Sequence, residues 1–429
     1  MVGLCLSAFG PYLIGSMRTE QLAVYAMAPL VLLSIRRLPG WSCGHLIAWS
    51  WVVLMATVGA LFPYDGPKPW EPGSTLAGYD NLLLPLMLML AVWCLVPANG
   101  ALPVLRATAW AVSLAAAGNA ILAAISTVKS LDGFLRQFWS NQDVLETVAE
   151  RAQTMGRYAG VFGQPAEAGL VYSIAAVLAV WRFGERPARM YLLLSLFAIG
   201  GVLSVSKVFL LVGLPVTLIL LWISNARGAE RTMLIVVLLS VAPLVSTASF
   251  FQEWTGFDFF IRLLDPPEGV SLIEFYTSGR WNSDTHMSDV LSFVLLATPW
   301  VGVGVDGLKT AYDAQWTETL VLSGVLGTLG VVATMILLFV RVCKLNDRGV
   351  RLMGFAFLAV LFGASFGITS LTANRAATVV WIVAALLVAI SHSPAKVSEP
   401  SPLPRRSSRQ LSQPSAPSPS VRTEDPEGS

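Results

Sequence analysis

Ionisable side chains are scarce in this 429-residue chain, and three groups of them stand inside or beside apolar runs. The first is Arg157, in Gly156-Arg157-Tyr158-Ala159-Gly160-Val161-Phe162-Gly163-Gln164-Pro165, just ahead of a glycine- and proline-marked helix start. The second is Lys207, in the short turn Ser204-Val205-Ser206-Lys207 between two apolar segments. A lysine near a bilayer centre costs about 2.5–3.5 kcal/mol, and such a residue usually faces a cavity or a partner. The third group lies in the stretch 250–330. It holds Ser278-Gly279-Arg280-Trp281, Asp284, His286, the turn Pro299-Trp300-Val301-Gly302-Val303-Gly304, and Trp316-Thr317-Glu318 ahead of Gly324, Gly327 and Gly330. Each residue has a plainer reading. Arg157 fits a snorkelling interface residue, Lys207 an end-of-helix anchor, Arg280 and His286 solvated loop residues, and Glu318 an interfacial helix residue. Together they suggest an active site embedded in a membrane under the 250–330 loop. The aromatics at the head of that loop, Phe250, Phe251, Trp254, Phe257, Phe259 and Phe260, suit the membrane–water interface.

The elements that must position these residues follow from composition. The chain is 55% hydrophobic and 13% charged, against about 25% charged in a soluble domain. A bilayer core takes roughly 20 apolar residues per helix, and about twelve such runs can be placed. They fall at about 1–15, 21–35, 46–62, 81–96, 107–125, 159–181, 190–203, 208–223, 232–248, 320–340, 352–371 and 376–390. The expected fold is therefore an all-α, polytopic membrane domain over 1–390 with a large extracytoplasmic loop at 249–319. Met1 leads straight into an apolar stretch with no basic n-region, which predicts a first span and no cleaved signal peptide. Between runs five and six, Leu131, Phe134, Leu135 and Phe138 recur at helical spacing, predicting a helix on the membrane surface. The tail 391–429 is rich in Ser and Pro with mixed charge, and reads as a disordered cytoplasmic extension.

A formal charge of +2 gives no reason to expect a nucleic-acid partner. Cys5, Cys43, Cys94 and Cys343 are scattered without metal-like spacing, so neither a disulfide framework nor a zinc site is expected. Placing Arg36–Arg37, Arg106, Arg182 to Arg189, Arg227 to Arg231 and Arg341 to Arg351 inside satisfies the positive-inside rule at every alternation. Both termini then lie in the cytoplasm. Arg157, Lys207, Arg280 and Arg375 fall outside, and Lys207 and Arg375 stand in tight turns where the rule gives no exemption.

In order and spacing, these motifs resemble the O-antigen ligase and polymerase superfamily. Arg157-x-x-Gly160 with Pro165 is similar to its Arg-x-x-Gly…Asn-Pro signature, and Ser206-Lys207 to its Ser-Arg at a short outer turn. Ser278-Gly279-Arg280, Pro299-x-x-Gly302-x-Gly304, and Glu318 ahead of Gly324 and Gly327 resemble its catalytic outer loop and the span that follows. Departures are Gln164 for asparagine, Lys207 for arginine, and Trp316-Thr317 where ligases carry a His-Asn-type pair. The last leans toward a polymerase.

The resemblance implies glycosyl transfer from a polyprenyl-diphosphate-linked donor to a glycan acceptor at the outer face of a bacterial cytoplasmic membrane. Arg280, Glu318 and His286 are the expected catalytic residues, and Arg157 and Lys207 the expected substrate-binding ones. No outer segment carries the Asp-x-Asp metal motif, so no metal or cofactor is expected. Arginines serve instead, because their planar fork matches phosphate oxygens and stays charged. The acceptor hydroxyl needs a base within hydrogen-bond reach; Glu318 is preferred over His286. The expected partners are the lipid-linked donor, the acceptor, the bilayer and other envelope polysaccharide assembly proteins. A polysaccharide or lipid transporter or flippase is the alternative, and no internal repeat of broken helices favours it.

Overall fold

The computed structural model describes residues 1–14, 17–64, 66, 68, 70–140, 146–224, 254–257, 286–309, 312 and 314–393. Arg280, Asp284, the expected span 232–248 and all of the tail beyond residue 393 lie outside them.

The described chain is overwhelmingly helical. The N-terminus departs from expectation. In place of one span at 1–15, α1 (Val2–Ser7) is followed by a small antiparallel hairpin, β1 (Tyr12–Ile14) and β2 (Met17–Arg18). Pro11 has no N–H to donate and biases Gly10 away from helical geometry, which ends the helix. The expected span at 21–35 is likewise two pieces, α2 (Thr19–Ala26) and α3 (Ala28–Ser34), with Pro29 at the start of the second.

From there helix follows helix: α4 (Cys43–Leu61), α5 (Thr75–Leu95), α6 (Ala101–Ser126), α7 (Asp132–Trp139), α8 (Val148–Thr154), α9 (Pro165–Phe183) and α10 (Pro187–Leu203). A π-helical turn, Val208–Gly213, runs into α11 (Leu214–Ser224). The remainder are α12 (His286–Ala297), α13 (Gln315–Cys343), α14 (Arg348–Ala364) and α15 (Asn374–Ile390). The helix expected from Leu131, Phe134, Leu135 and Phe138 is α7; Leu135 is buried and Phe134 is exposed.

Among the described residues, five helices are long and apolar enough to cross a bilayer: Gly40–Leu61, Thr75–Leu95, Ala98–Ser126, Pro165–Phe183 and Gln315–Cys343. Their burial tells inner from outer. In α9 every residue from Glu167 to Val180 is buried, and α15 is buried from Arg375 to Ala389. A helix apolar all round has no solvent face and belongs at the centre of a bundle. By contrast α4 and α13 leave Ile47, Trp51, Leu54, Leu329, Ile336 and Phe339 exposed, as lipid-facing helices do. Buried alanines on α6, Ala109, Ala116, Ala120 and Ala123, let α9 and α10 approach closely.

Helix α13 is broken. Gly324 has φ 63° and ψ −164°, outside helical space. In a continuous helix the Val325 N–H would donate to the Val321 carbonyl. Here the 299–304 loop enters the break and takes over both groups. Val303 N donates to Val321 O at 2.8 Å, and Val325 N donates to Pro299 O at 2.8 Å. Leu326 N donates to Trp300 O at 3.1 Å. Irregular backbone at membrane depth is tolerated only when its polar groups are satisfied within the protein, and the Pro-x-x-Gly-x-Gly turn does that here. The break leaves 315–323 as a separate short helix, which carries Glu318.

Candidate functional site

The site is built from chain breaks that aim polar groups inward. Gln164 is extended and caps α9, and Pro165 begins that helix, where its missing N–H costs nothing. The preceding loop is pinned by Asn119 of α6, which is 2% exposed. Its Oδ1 accepts from Val161 N at 2.7 Å, and its Nδ2 donates to Ala159 O at 3.1 Å and to the Tyr172 hydroxyl at 2.7 Å. Gly160 sits between them at φ +65°, and a Cβ there would meet Asn119 Oδ1 at 2.1 Å. Glycine alone fits both the left-handed backbone and the close approach.

The Val161 carbonyl held by this loop accepts a hydrogen bond from Arg375 Nη1. Arg375 opens α15, is 3% exposed, and lies with its guanidinium carbon 5.7 Å from the centre of the Tyr12 ring. Arg18 lies 5.5 Å from the same ring, donates from Nε to the Tyr12 hydroxyl at 3.1 Å, and stands 3.7 Å from the fully buried Glu20. Glu167 of α9 accepts from Ala376 N at 3.3 Å in the first turn of α15. Two arginines and two glutamates from four segments thus meet inside an apolar helical body.

Glu318 stands on the short half of α13 and is 4% exposed. Its Oε2 accepts from Gln315 Nε2 at 3.2 Å and from the Thr372 hydroxyl. Gln315 is itself fixed: its Oε1 accepts from Leu371 N at 2.8 Å. The carboxylate is therefore clamped between α13 and the turn that leads into α15.

These groups line one cavity of about 720 Å³. Arg18, Lys309 and Arg375 face it, as do Glu167, Asp306 and Glu318. Tyr12, Phe138, Trp139 and Tyr312 supply aromatic surface. Two loops meet at one side of it. Gly73 N donates to Asp306 O at 3.0 Å, and Lys309 N donates to Glu71 O at 3.1 Å. The Lys309–Glu71 ion pair above them, at 2.7 Å, is exposed and adds little. Burial, with Glu318 nearby, pushes the Tyr312 hydroxyl well above its usual value, so Tyr312 remains a neutral group that accepts from Leu308 N at 2.8 Å.

Of the residues singled out in the sequence, Glu318 lines the cavity. His286 is exposed at the head of α12 and does not line it. Arg157 and Lys207 lie elsewhere. Arg157 Nη2 donates to Val205 O at 3.4 Å, and Tyr158 N donates to Leu203 O at 2.9 Å, so the two motifs share one turn. Val205 there has φ 44°, the one non-glycine residue with positive φ among those described. Trp254 Nε1 donates to Gly156 O at 2.6 Å and closes over this turn. Arg280 lies outside the described residues. Arg18, Glu20, Glu167, Gln315 and Thr372 were not singled out. Glu167 had a readable signal, a carboxylate inside the apolar run 159–181. Arg375 had one too, a cation in a tight turn that the expected topology puts on the side where cations are disfavoured.

Compared with known families and curated proteins, the chain matches no family model and no curated protein.

Proposed function

We propose that this chain is a membrane glycosyltransferase that polymerises or ligates polyprenyl-diphosphate-linked glycans at the outer face of a bacterial cytoplasmic membrane. The observation that carries the reading is a carboxylate, Glu318, clamped in the wall of a polar, aromatic-lined cavity inside an otherwise apolar helical body. A pocket with a few convergent polar groups is the default binding site of such a body, and 720 Å³ lies within the range of small-ligand sites. The ordered motifs at Arg157, Lys207, Arg280 and Glu318 support the same reading, as does the many-helix layout, taken here as about twelve spans with both termini inside.

The reaction needs a base, an electrophile and a leaving group. Glu318 takes the proton from an acceptor hydroxyl. That oxygen attacks the anomeric carbon of the donor sugar, the bond from this carbon to the phosphate oxygen breaks, and the lipid diphosphate departs with the electron pair. Arg280, Arg157 and Lys207 offset the charge that grows on it. One cation about 4 Å from a phosphate charge contributes roughly 4 kcal/mol at an effective dielectric near 20. His286, exposed on α12, is the weaker candidate base.

The test is product formation by purified protein given lipid-linked donor and acceptor, with no ATP and no ion gradient. Turnover is expected. A requirement for either energy source would mark a transporter and sink the reading. Turnover is also expected to survive EDTA, because arginines stand where a metal-binding Asp-x-Asp motif would otherwise act. Loss on chelation with recovery in Mg²⁺ or Mn²⁺ would overturn that part.

Orientation has its own check. Cys43 and Cys343 are exposed, so both are first replaced. Single cysteines at Lys129 and Arg186, exposed beyond α6 and before α10, then report the two sides. Lys129→Cys should react with an impermeant thiol reagent in intact spheroplasts, and Arg186→Cys only after lysis. The reverse pattern would invert the molecule.

A further inference from the structure

Besides the Arg157–Lys207 turn, the described residues bring Arg18 and Arg375 together at the Tyr12 ring. We infer that Arg18 and Arg375 form a second oxyanion subsite, taking a diphosphate group in the cavity, apart from the Arg157–Lys207 turn.

Charge alone does not make the case, since three cations and three carboxylates line the cavity. Hydrogen-bonding capacity does. Each carboxylate of the cavity lining already accepts from a neutral donor: Glu167 from Ala376 N, Asp306 from the Thr75 hydroxyl, and Glu318 from Gln315 and Thr372. Glu20, outside the lining, has its ion pair with Arg18 and no hydrogen-bond donor among the described residues. Arg375 is different. Its Nη1 is held by the Val161 carbonyl, which fixes the plane of the fork, while its Nη2 is buried without a hydrogen-bond partner among the described residues. A buried guanidinium donor left unpaired is costly, so the ligand that suits it brings an acceptor oxygen. Arg18 faces the same cavity and lies close to the same Tyr12 ring, and Glu20, outside the cavity lining, is its counter-charge. Two planar forks near one ring suit an anion with several oxygens better than a single carboxylate.

The identity of that anion rests on the glycosyl-transfer reading. When one lipid-linked glycan is transferred to another, two diphosphates are present at once. One leaves with the donor lipid, and the other stays on the acceptor. Two basic centres match two diphosphates, which favours polymerisation over ligation to an acceptor without a diphosphate.

The experiment titrates full-length protein in detergent with farnesyl diphosphate, and separately with inorganic pyrophosphate, by calorimetry. Wild type is expected to bind two farnesyl diphosphates per chain. Arg375→Gln and Arg18→Gln should each weaken one and the same site about tenfold or more and spare the other. Arg157→Gln should do the converse. Pyrophosphate binding at the Arg375-dependent site would mark the diphosphate as sufficient; binding of the farnesyl compound alone would mark the lipid as required. Arg375 also supports the Val161 loop, so its variant is checked for folding. Arg18, whose side chain is 20% exposed, carries the test if that variant fails. A single site, or two sites that neither variant touches, overturns the inference. Turnover is measured in parallel. Turnover with one site removes the second subsite alone, whereas two sites without turnover removes the glycosyl-transfer reading and leaves the subsite standing.

Discussion

Glu318→Gln is expected to lower glycan turnover by about 10²–10⁴-fold, the usual contribution of a general base, while the yield and melting temperature of the protein stay near wild type. Glutamine is chosen because it preserves what the structure shows. Both bonds at Glu318 are accepted by Oε2, from Gln315 and from Thr372. A glutamine carbonyl still accepts both, without the charge assistance of a carboxylate, so the clamp between α13 and the turn before α15 is kept in weaker form. What is lost is the negative charge and with it the ability to take up a proton. A purely structural Glu318 gives a different pattern, with Gln harmless and Ala destabilising, because Ala leaves the Gln315 and Thr372 donors unpaired in a buried site. The measurement is product formed per mole of folded protein for wild type, Gln and Ala. Near-normal turnover in the Gln variant would remove Glu318 as the base.

Gly324→Ala should cost most of the folded protein. The backbone at φ 63° and ψ −164° is nearly exclusive to glycine, and holding another residue in such a region costs about 1–3 kcal/mol. Steric overlap adds to this, since a Cβ at Gly324 would lie 2.4 Å from the Trp300 carbonyl carbon. That neighbour is backbone, itself bonded to Leu326 N at 3.1 Å, and has no rotamer into which to retreat. Against a net stability of about 5–15 kcal/mol, the sum is large. Gly3→Ala is the control, because a Cβ there meets nothing within 4 Å. The readout is monodisperse protein recovered in detergent and its thermal midpoint. Equal values for the two variants would mean the break is not rigid.

Several apolar helices were legible as apolar runs, five of them long enough to cross a bilayer among the described residues. The expected 46–62, 190–203 and 208–223 correspond to α4, α10, and the π turn with α11, within three residues at each end. The first 35 residues were not, because total apolarity hides the breaks that Pro11 and Pro29 impose. Glu318 was legible as a lone carboxylate before an apolar run. The Arg18–Glu20–Arg375–Glu167 cluster was not, since its members are far apart in sequence and only the packing of α9 and α15 against the hairpin unites them. Arg375 had been visible as an exception to the charge rule; its burial in the cavity wall gives the exception a physical reason. Gly302, Gly304 and Gly324 were legible as a motif, but the exchange of hydrogen bonds through the helix break was not, because a spacing does not name its partner.

The break at Gly324 also divides the labour of α13. At about 1.5 Å per residue, 325–343 reaches about 28 Å, close to the roughly 30 Å of a hydrocarbon core. The stretch after the break is therefore long enough to cross unaided, and 315–323 is freed from crossing. It can lie at the level of the lipid headgroups, where the dielectric is higher and a carboxylate is far less costly than at mid-bilayer. On the proposed glycosyl-transfer reading, a lipid diphosphate is anchored at that same level by its own chain, so the donor would reach the plane of Glu318 by lateral diffusion, with no need for its charged head to enter the oil.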